Sequence, residues 1–282
     1  MSEPFPRGTA PPLQSPLFWA QQKDRYIRQL LIRDIEARTG RRLIVYFANR
    51  LEHAQIDATD PTYFVEMLED TKGAPVDLLL ETTGGLTDAA EHIVSVLEKM
   101  APDLRVVVAG SAKSNGTLVC FTGQSIVLGA LSELGPIEPQ IFVNNSWIPA
   151  TILADSAFAT QNLVLHQFAK FAIEQTRKLA SRLLKNGMKK GADDAEIEKL
   201  VDKLLTRQTY LSHGSVIDHT EADALGLRVE YLRPEDELWQ AFRLLRCLYE
   251  ADSRKNRYLK VFEGNRLSSA IQAPSATLSS NP

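Results

Sequence analysis

The sequence VDLLLETTGGLTDAAEHIVSVLEKMAPDLRVVVAGSAKSNGTLVCFTGQSIVL, residues 76–128, alternates short apolar runs with amphipathic segments. The apolar runs predict buried strands at 76–81, 104–109 and 125–128. The segments between them predict helices at 86–100 and 115–123. Strands separated by helices of this length form crossover units, so the sequence predicts an α/β fold with a largely parallel sheet.

The residues before this stretch extend the pattern. Apolar residues recur at spacings of three and four between Ile27 and Ile35, which predicts an N-terminal helix over 17–40 that Gly40 ends. The run RLIVYF, residues 42–47, predicts another buried strand, and a helix is expected to open at Pro61.

The residues after the quoted stretch are expected to be mainly helical. Residues 154–205 are rich in Ala, Leu, Lys, Glu and Gln, which predicts a long helical arm broken at 187–191 by glycines. We expect the arm to belong to one domain over 41–232 and a helical extension to follow over 233–263. The proline-rich lead 1–16 and the Ser-, Ala- and Pro-rich tail 264–282 are predicted to be disordered.

The composition excludes several classes of protein. The 282 residues are 44% hydrophobic and carry a formal net charge of −3, which gives no general attraction for nucleic acid. The two cysteines, Cys120 and Cys247, lie far apart and outside any Cys-x-x-Cys spacing, so neither a disulfide framework nor a thiolate metal site is predicted. They indicate a reducing compartment, and we expect a cytoplasmic protein. No integral membrane segment is predicted, because the uncharged run 114–132 is interrupted by glycines and polar residues.

Two glycine-containing turns follow buried strands and open helices, which is where an α/β sheet exposes backbone N–H groups to a ligand. Neither turn has the spacing of a nucleotide-binding loop. The diglycine Gly84-Gly85 and the hydroxyl of Ser114 instead suit acyl transfer, in which a hydroxyl attacks a carbonyl carbon and N–H donors hold the oxyanion. A plain helix N-cap is the alternative role for Ser114.

Three segments in order carry a resemblance to a known family. They are LLLETTGGLTDAA at 78–90, VVVAGSAKSNGTLVCFTGQSIVLGALSELGPIEPQI at 106–141 and YLSHGSVIDHTEADALGL at 210–227. Together they resemble the Clp-protease/crotonase superfamily, and most closely its serine dehydrogenase proteinase family. The resemblance covers about residues 43–229 and implies a fold of repeated ββα units, to which the N-terminal helix and the long helices are additions.

The resemblance also implies a function and part of a site. It implies a serine peptidase that forms an acyl-enzyme on Ser114, with an oxyanion hole built from Gly84, Gly85 and Asn115. Asn115 stands where the family has a small residue, so its side chain is expected to narrow the site. No histidine lies near Ile137, where Clp proteases have one, so the general base has to come from elsewhere.

Histidine suits the role of general base because its pKa lies near 6.5. We assign His213, because it lies in the segment that by resemblance carries the third triad position. Glu138, which replaces the aspartate of the family motif, and Asp155 are alternatives for the acid that orients the imidazole. A Ser–Lys dyad stays open, with three candidate lysines: Lys113, Lys170 and Lys178.

No metal or cofactor is expected, since neither a His-Glu-x-x-His motif nor an acidic calcium loop occurs. The expected partners are a peptide or protein substrate and further copies of the chain, because the helical arm has more apolar positions than a small core needs. Nucleic acid is not expected. Two other functions stay open: a catalytically silent scaffold or binding module with the same fold, and, less favoured, acyl-CoA chemistry.

Overall fold

The computed structural model describes residues 15–274, with the exception of Thr160 and the side chain of Trp19. Its strands are β1 Arg42–Ala48, β2 Val76–Glu81, β3 Leu104–Val108, β4 Ser111–Ala112, β5 Ser125–Leu128, β6 Glu133–Leu134, β7 Gln140–Val143, β8 Ser146–Pro149, β9 Val229–Tyr231, β10 Tyr258–Glu263 and β11 Ser268–Gln272. Its helices are α1 Pro16–Gln21, α2 Lys23–Thr39, α3 Asp60–Thr71, α4 Thr87–Met100, α5 Asn115–Cys120, α6 Ala150–Leu153, α7 Ser156–Ala159, α8 Leu163–Asn186, α9 Asp194–Leu205, α10 His219–Ala224 and α11 Glu237–Asn256.

A seven-stranded sheet runs through the centre of the described chain, in the order β11-β10-β1-β2-β3-β5-β9. The strands β1, β2, β3, β5 and β9 pair in parallel, and the helices between them supply the crossovers. Only β10 and β11 add antiparallel pairs at one edge. The predicted α/β fold with a largely parallel sheet is confirmed.

Successive residues of the central strands face opposite sides of the sheet, and both sides are buried. Leu78 and Val106 belong to the core that includes side chains of α3, α4, α8 and α9, whereas Leu79 and Val107 belong to the core beneath α2 and α11. Burial on both faces explains why these strands are continuous apolar runs in the sequence rather than alternating ones.

Short segments after the central strands form a second small layer that carries the candidate site. Strand β4, which follows β3, pairs in parallel with β6, which follows β5. Isolated bridges extend this layer at both sides: Ile56 to Gly85, Thr82 to Ala112 and Leu134 to Ile217. A central strand, a short second strand and a helix thus recur along the chain, as the implied ββα units require.

The long helices differ in detail from the sequence prediction. The N-terminal helix is broken at Gln22 into α1 and α2, and it ends at Gly40, whose φ of +68° suits a glycine. The predicted break at 187–191 separates α8 from α9. The arm begins with α8 at Leu163, however, and the unpredicted hairpin of β7 and β8 precedes it. In the described part of the chain, no helix combines the length and the apolar character needed to cross a membrane.

Two predictions are wrong at the C-terminal end of the described chain. The helical extension predicted over 233–263 ends with α11, and residues 258–263 form strand β10. The prediction of a disordered tail is wrong for residues 264–274. Strand β11 pairs along β10 and forms the edge of the sheet. The composition of this segment is polar, but an edge strand is held through backbone hydrogen bonds that composition does not report. Residues 275–282 of the predicted tail and residues 1–14 of the predicted lead lie outside the described residues.

Candidate active site

Ser114 lies at the sharp turn between β4 and α5. Its backbone has φ +53° and ψ −121°, a left-handed conformation that is strained for a residue with a side chain. Ser114 is the N-cap residue of α5, but its side chain makes no capping hydrogen bond. The hydroxyl therefore does not stabilise the helix, and the structure does not support a plain N-cap role for Ser114.

The diglycine turn packs directly against this serine. A Cβ atom placed on Gly84, whose φ is +102°, would lie 2.8 Å from Ser114 Cβ and 3.3 Å from the backbone nitrogen of Asn115. A Cβ atom on Gly85 would lie 2.3 Å from the carbonyl oxygen of Ile56, which pairs with this turn from the other side. Only glycine allows three backbone segments to approach this closely.

The backbone N–H groups around Ser114 divide into used and unused donors. The Gly84 N–H donates to Thr82 Oγ1 at 3.1 Å, so this group, predicted as part of the oxyanion hole, is already occupied. The N–H groups of Gly85 and Asn115 meet no protein acceptor within the described residues. Two donors are thus left beside the serine, which is the number that a simple oxyanion hole uses.

The side chain of Asn115 is buried and points to the diglycine turn. Its Nδ2 donates to the carbonyl oxygen of Gly85 at 2.6 Å and to Thr87 Oγ1 at 3.2 Å. The sequence predicts that this side chain narrows the site. In the structure its amide instead joins the start of α5 to the diglycine turn. Asn115 thereby fixes the peptide group that follows Gly85.

His213 lies in the segment before the bridge between Ile217 and Leu134. Its ring is half-buried, and its Nδ1 atom is buried without a hydrogen-bond partner. Burial lowers the pKa of His213; the charge of Glu138 opposes this, while those of Arg207 and Lys113 add to it. The imidazole is therefore neutral at neutral pH, as a general base has to be.

Glu138 is a buried carboxylate close enough to His213 to influence its charge. It accepts hydrogen bonds from Arg207 Nε at 3.2 Å and from Gln140 Nε2 at 3.4 Å, and Thr151 Oγ1 also donates to it. No hydrogen bond joins Glu138 to His213 among the described residues. The predicted orienting contact is thus replaced by an electrostatic one.

Asp155, the other predicted acid, is not brought to His213. Its side chain is exposed, and its Oδ1 accepts from the backbone nitrogen of Ala157 at 2.8 Å, at the start of α7. Asp155 is absent from the charges that act on His213. An Asp two residues before a backbone N–H commonly caps a turn in this way, which explains its placement.

The three candidate lysines offer no free amine beside Ser114. Lys170 and Lys178 are exposed on α8, and Lys178 pairs with Glu174 one turn earlier at 3.3 Å. Lys113 Nζ is engaged by the carboxylate of Glu133 at 3.0 Å.

The sequence did not predict two partners of the buried Glu138, Arg207 and Thr151, and no motif marks them. No group of three or more metal-ligating side chains occurs in the described part of the chain.

Comparisons with known proteins identify a family for most of the chain. A family described as ClpP-like SDH-type serine proteinase matches residues 19–258. Uncharacterized protein MJ0137 of Methanocaldococcus jannaschii is 35% identical over 169 residues, which are 58% of this chain and 57% of that protein. Uncharacterized protein MJ1495 of the same organism is 27% identical over 211 residues, 70% of each chain. The chain thus spans less than two thirds of the length of the first relative.

Two solved structures are similar to part of this chain. A mutant of the 1510-N membrane-bound stomatin-specific protease is 19% identical with a TM-score of 0.41, covering 66% of this chain and 79% of that one. A mutant of ClpP1 from Listeria monocytogenes is 14% identical with a TM-score of 0.43, covering 70% of this chain and 94% of that one.

Proposed function

The chain belongs to the family of ClpP-like SDH-type serine proteinases, and from that premise we propose that it hydrolyses peptide bonds through an acyl-enzyme on Ser114. The observation that carries this proposal is the uncapped Ser114 side chain on a strained turn, beside two N–H groups without protein acceptors. Together these groups supply a nucleophile and oxyanion donors, which are the parts that acyl transfer needs.

The proposed reaction has two steps. Ser114 Oγ attacks the carbonyl carbon of the peptide while His213 takes the hydroxyl proton, and the resulting oxyanion accepts hydrogen bonds from the N–H groups of Gly85 and Asn115. The tetrahedral intermediate then expels the amine, which receives the proton from His213. A water molecule, activated by the same imidazole, attacks the ester and releases the acid and the free serine.

Glu138 has a supporting part in this proposal. When His213 takes a proton, it becomes a cation in a partly buried place, where desolvation disfavours the charge. The negative charge of Glu138 favours that cation, and Arg207 and Thr151 hold the carboxylate in position. We assign the acid role to Glu138 as an electrostatic partner and give no role to Asp155.

A fluorophosphonate probe tests the proposal, because it reacts covalently with activated serines. The wild-type protein should be labelled, Ser114→Ala should not, and the matched control Ser181→Ala, at a partly exposed serine of α8, should be labelled like the wild type. Folding of each variant is checked by circular dichroism. Absence of labelling in the folded wild type, or equal labelling of Ser114→Ala, would favour a catalytically silent scaffold.

We also propose that the chain self-associates. The hairpin of β7 and β8 and helix α6 pack against the first half of α8 around a small apolar core. The outer surface of this unit carries large exposed apolar side chains: Phe142, Trp147, Ile152, Leu163, Val164, Phe168 and Phe171. Apolar clusters of this kind mark interaction surfaces in soluble proteins.

Light scattering tests the self-association. The double change Phe168→Glu and Phe171→Glu should lower the mass of the particle, and Lys178→Glu on the same helix should leave it unchanged. A wild-type protein that is monomeric at micromolar concentration would contradict the proposal.

We place the protein in a reducing compartment, since Cys120 and Cys247 are both free thiols.

A further inference from the structure

Lys113, the residue before Ser114, reaches from the nucleophile turn to the segment that carries His213. Its Nζ atom donates to the carbonyl oxygen of Ser215 at 2.9 Å and lies 3.4 Å from that of Gly214. The same ammonium group pairs with the carboxylate of Glu133 at 3.0 Å. Three acceptors therefore hold one cation between two parts of the candidate site.

Glu133 is a fixed anchor for this cation. It lies on β6, which pairs with β4, and its backbone nitrogen donates to the carbonyl oxygen of Gly110 at 2.8 Å. Burial opposes its ionisation, but hydrogen bonds from Ser111 and Lys113 outweigh burial and hold the pKa of Glu133 below its ordinary value. The carboxylate stays charged at neutral pH, so the ammonium has a permanent partner.

The segment that carries His213 has few other links. Residues 211–216 make two internal hydrogen bonds, both to Ser212. Among the described residues, the hydrogen bonds that join this segment to the rest of the protein come from Lys113 Nζ alone. The next contact is the backbone bridge of Ile217 with Leu134, which lies beyond the segment.

We propose that Lys113 is a positioning residue, which ties the segment carrying His213 to the turn carrying Ser114 and so keeps the base and the nucleophile at one separation. This inference rests on the proposed function, because it assumes that Ser114 and His213 act together. It also gives the lysine a role other than the general base that a Ser–Lys dyad would require.

The charge of Lys113 has a second, measurable effect at the same place. The groups that face His213 are the anion Glu138 and the cations Arg207 and Lys113. A cation disfavours protonation of a nearby imidazole, so removal of the Lys113 charge raises the pKa of His213. A purely structural lysine far from the histidine would leave that pKa unchanged.

The test compares Lys113→Met, which removes charge and donors, with Lys113→Arg, which keeps both, and with Lys178→Met as a control on α8. We expect Lys113→Met to lower kcat for a fluorogenic peptide about 10–100-fold, as loss of alignment does, with KM nearly unchanged. Lys113→Arg should recover part of that loss. Hydrogen exchange of residues 211–216 should be faster in Lys113→Met than in the wild type.

A titration that needs no activity separates this inference from the proposed function. In Ser114→Ala protein, the imidazole of His213 is followed by NMR with and without Lys113→Met, and its pKa should rise on loss of the lysine. An unchanged pKa together with unchanged exchange at 211–216 would overturn the role of Lys113, even if Ser114→Ala abolishes labelling. Full activity of Ser114→Ala would instead overturn the proposed function. The titration would still test whether Lys113 acts on His213.

Discussion

Replacement of Gly84 by alanine is the sharpest perturbation of the candidate site that the geometry offers. The added Cβ would lie 2.8 Å from Ser114 Cβ and 3.0 Å from the carbonyl oxygen of Lys113. Two carbon atoms prefer about 3.5–4.0 Å, so the turn and the serine have to separate by roughly 1 Å. A displacement of about 1 Å at a reacting group costs about 100-fold in rate.

Gly84→Ala should also lower the free energy of unfolding, and Gly191→Ala measures the conformational part of that loss by itself. Gly191 has φ +89°, close to the +102° of Gly84, but a Cβ atom there meets nothing within 4 Å. Gly191→Ala should therefore lose only the conformational contribution of about 1–2 kcal/mol. Gly84→Ala should lose a further 1–3 kcal/mol or so, because the backbone has to shift to accommodate the methyl group.

The assay measures the rate of fluorophosphonate labelling and the free energy of unfolding by urea for both variants. We expect Gly191→Ala to be labelled at the wild-type rate and Gly84→Ala about 100-fold more slowly under conditions in which both are folded. Labelling of Gly84→Ala within twofold of the wild type would instead show that the position of Ser114 against the turn does not control its reactivity.

Three further predictions concern the groups around Ser114 and His213. Burial lowers the pKa of His213, so the labelling rate should rise with pH through a midpoint below the ordinary histidine value of about 6.5. A midpoint above 7 would argue against His213 as the base. Arg207→Met should raise the pKa of His213 and move that midpoint to higher pH. The arginine charge disfavours the imidazolium directly, and it also pairs with Glu138, whose negative charge favours the imidazolium. An NMR titration of His213 checks the direction. Asn115→Ala should slow labelling about tenfold or more and cost about 1 kcal/mol, because the hydrogen bond from Nδ2 to the Gly85 carbonyl is lost. Thr87→Val is the control, because it removes the partner hydroxyl and leaves the bond to Gly85, and equal loss in both variants would contradict the role of Asn115.

The parallel strands could be predicted because burial on both faces of the sheet leaves a continuous apolar run in the sequence. The strands at 76–81 and 125–128 have the predicted bounds, and the helix after the diglycine turn begins one residue later than predicted, at Thr87. The family was also predicted from three ordered motifs, and the match over residues 19–258 confirms it. These features depend on local patterns of apolar residues and glycines.

The elements that the sequence did not predict are hairpin strands held by backbone pairing, which local runs of buried side chains do not mark. Strand β11 is polar and short, and it is held by its register with β10 rather than by burial of its side chains. The hairpin of β7 and β8 exposes the apolar side chains of Phe142 and Trp147, so apolar and polar residues do not alternate along its sequence.

The candidate site divides in the same manner. The approach of the diglycine turn to Ser114 could be predicted, because each follows a central strand and parallel strands end at one edge of a sheet. The partners of Glu138 could not, since Arg207 lies 69 residues further along the chain. The tie from Lys113 to Ser215 spans 102 residues, and no local pattern reports such a contact.

The most direct test of the account is to trap the acyl-enzyme. The protein is mixed with a peptide ester or peptide substrate, quenched with acid within seconds, and its fragments are analysed by tandem mass spectrometry. We expect the acyl group of the substrate on the Ser114 hydroxyl, and no adduct in Ser114→Ala. An acyl group on any other residue, or substrate hydrolysis by folded Ser114→Ala at the wild-type rate, would contradict it.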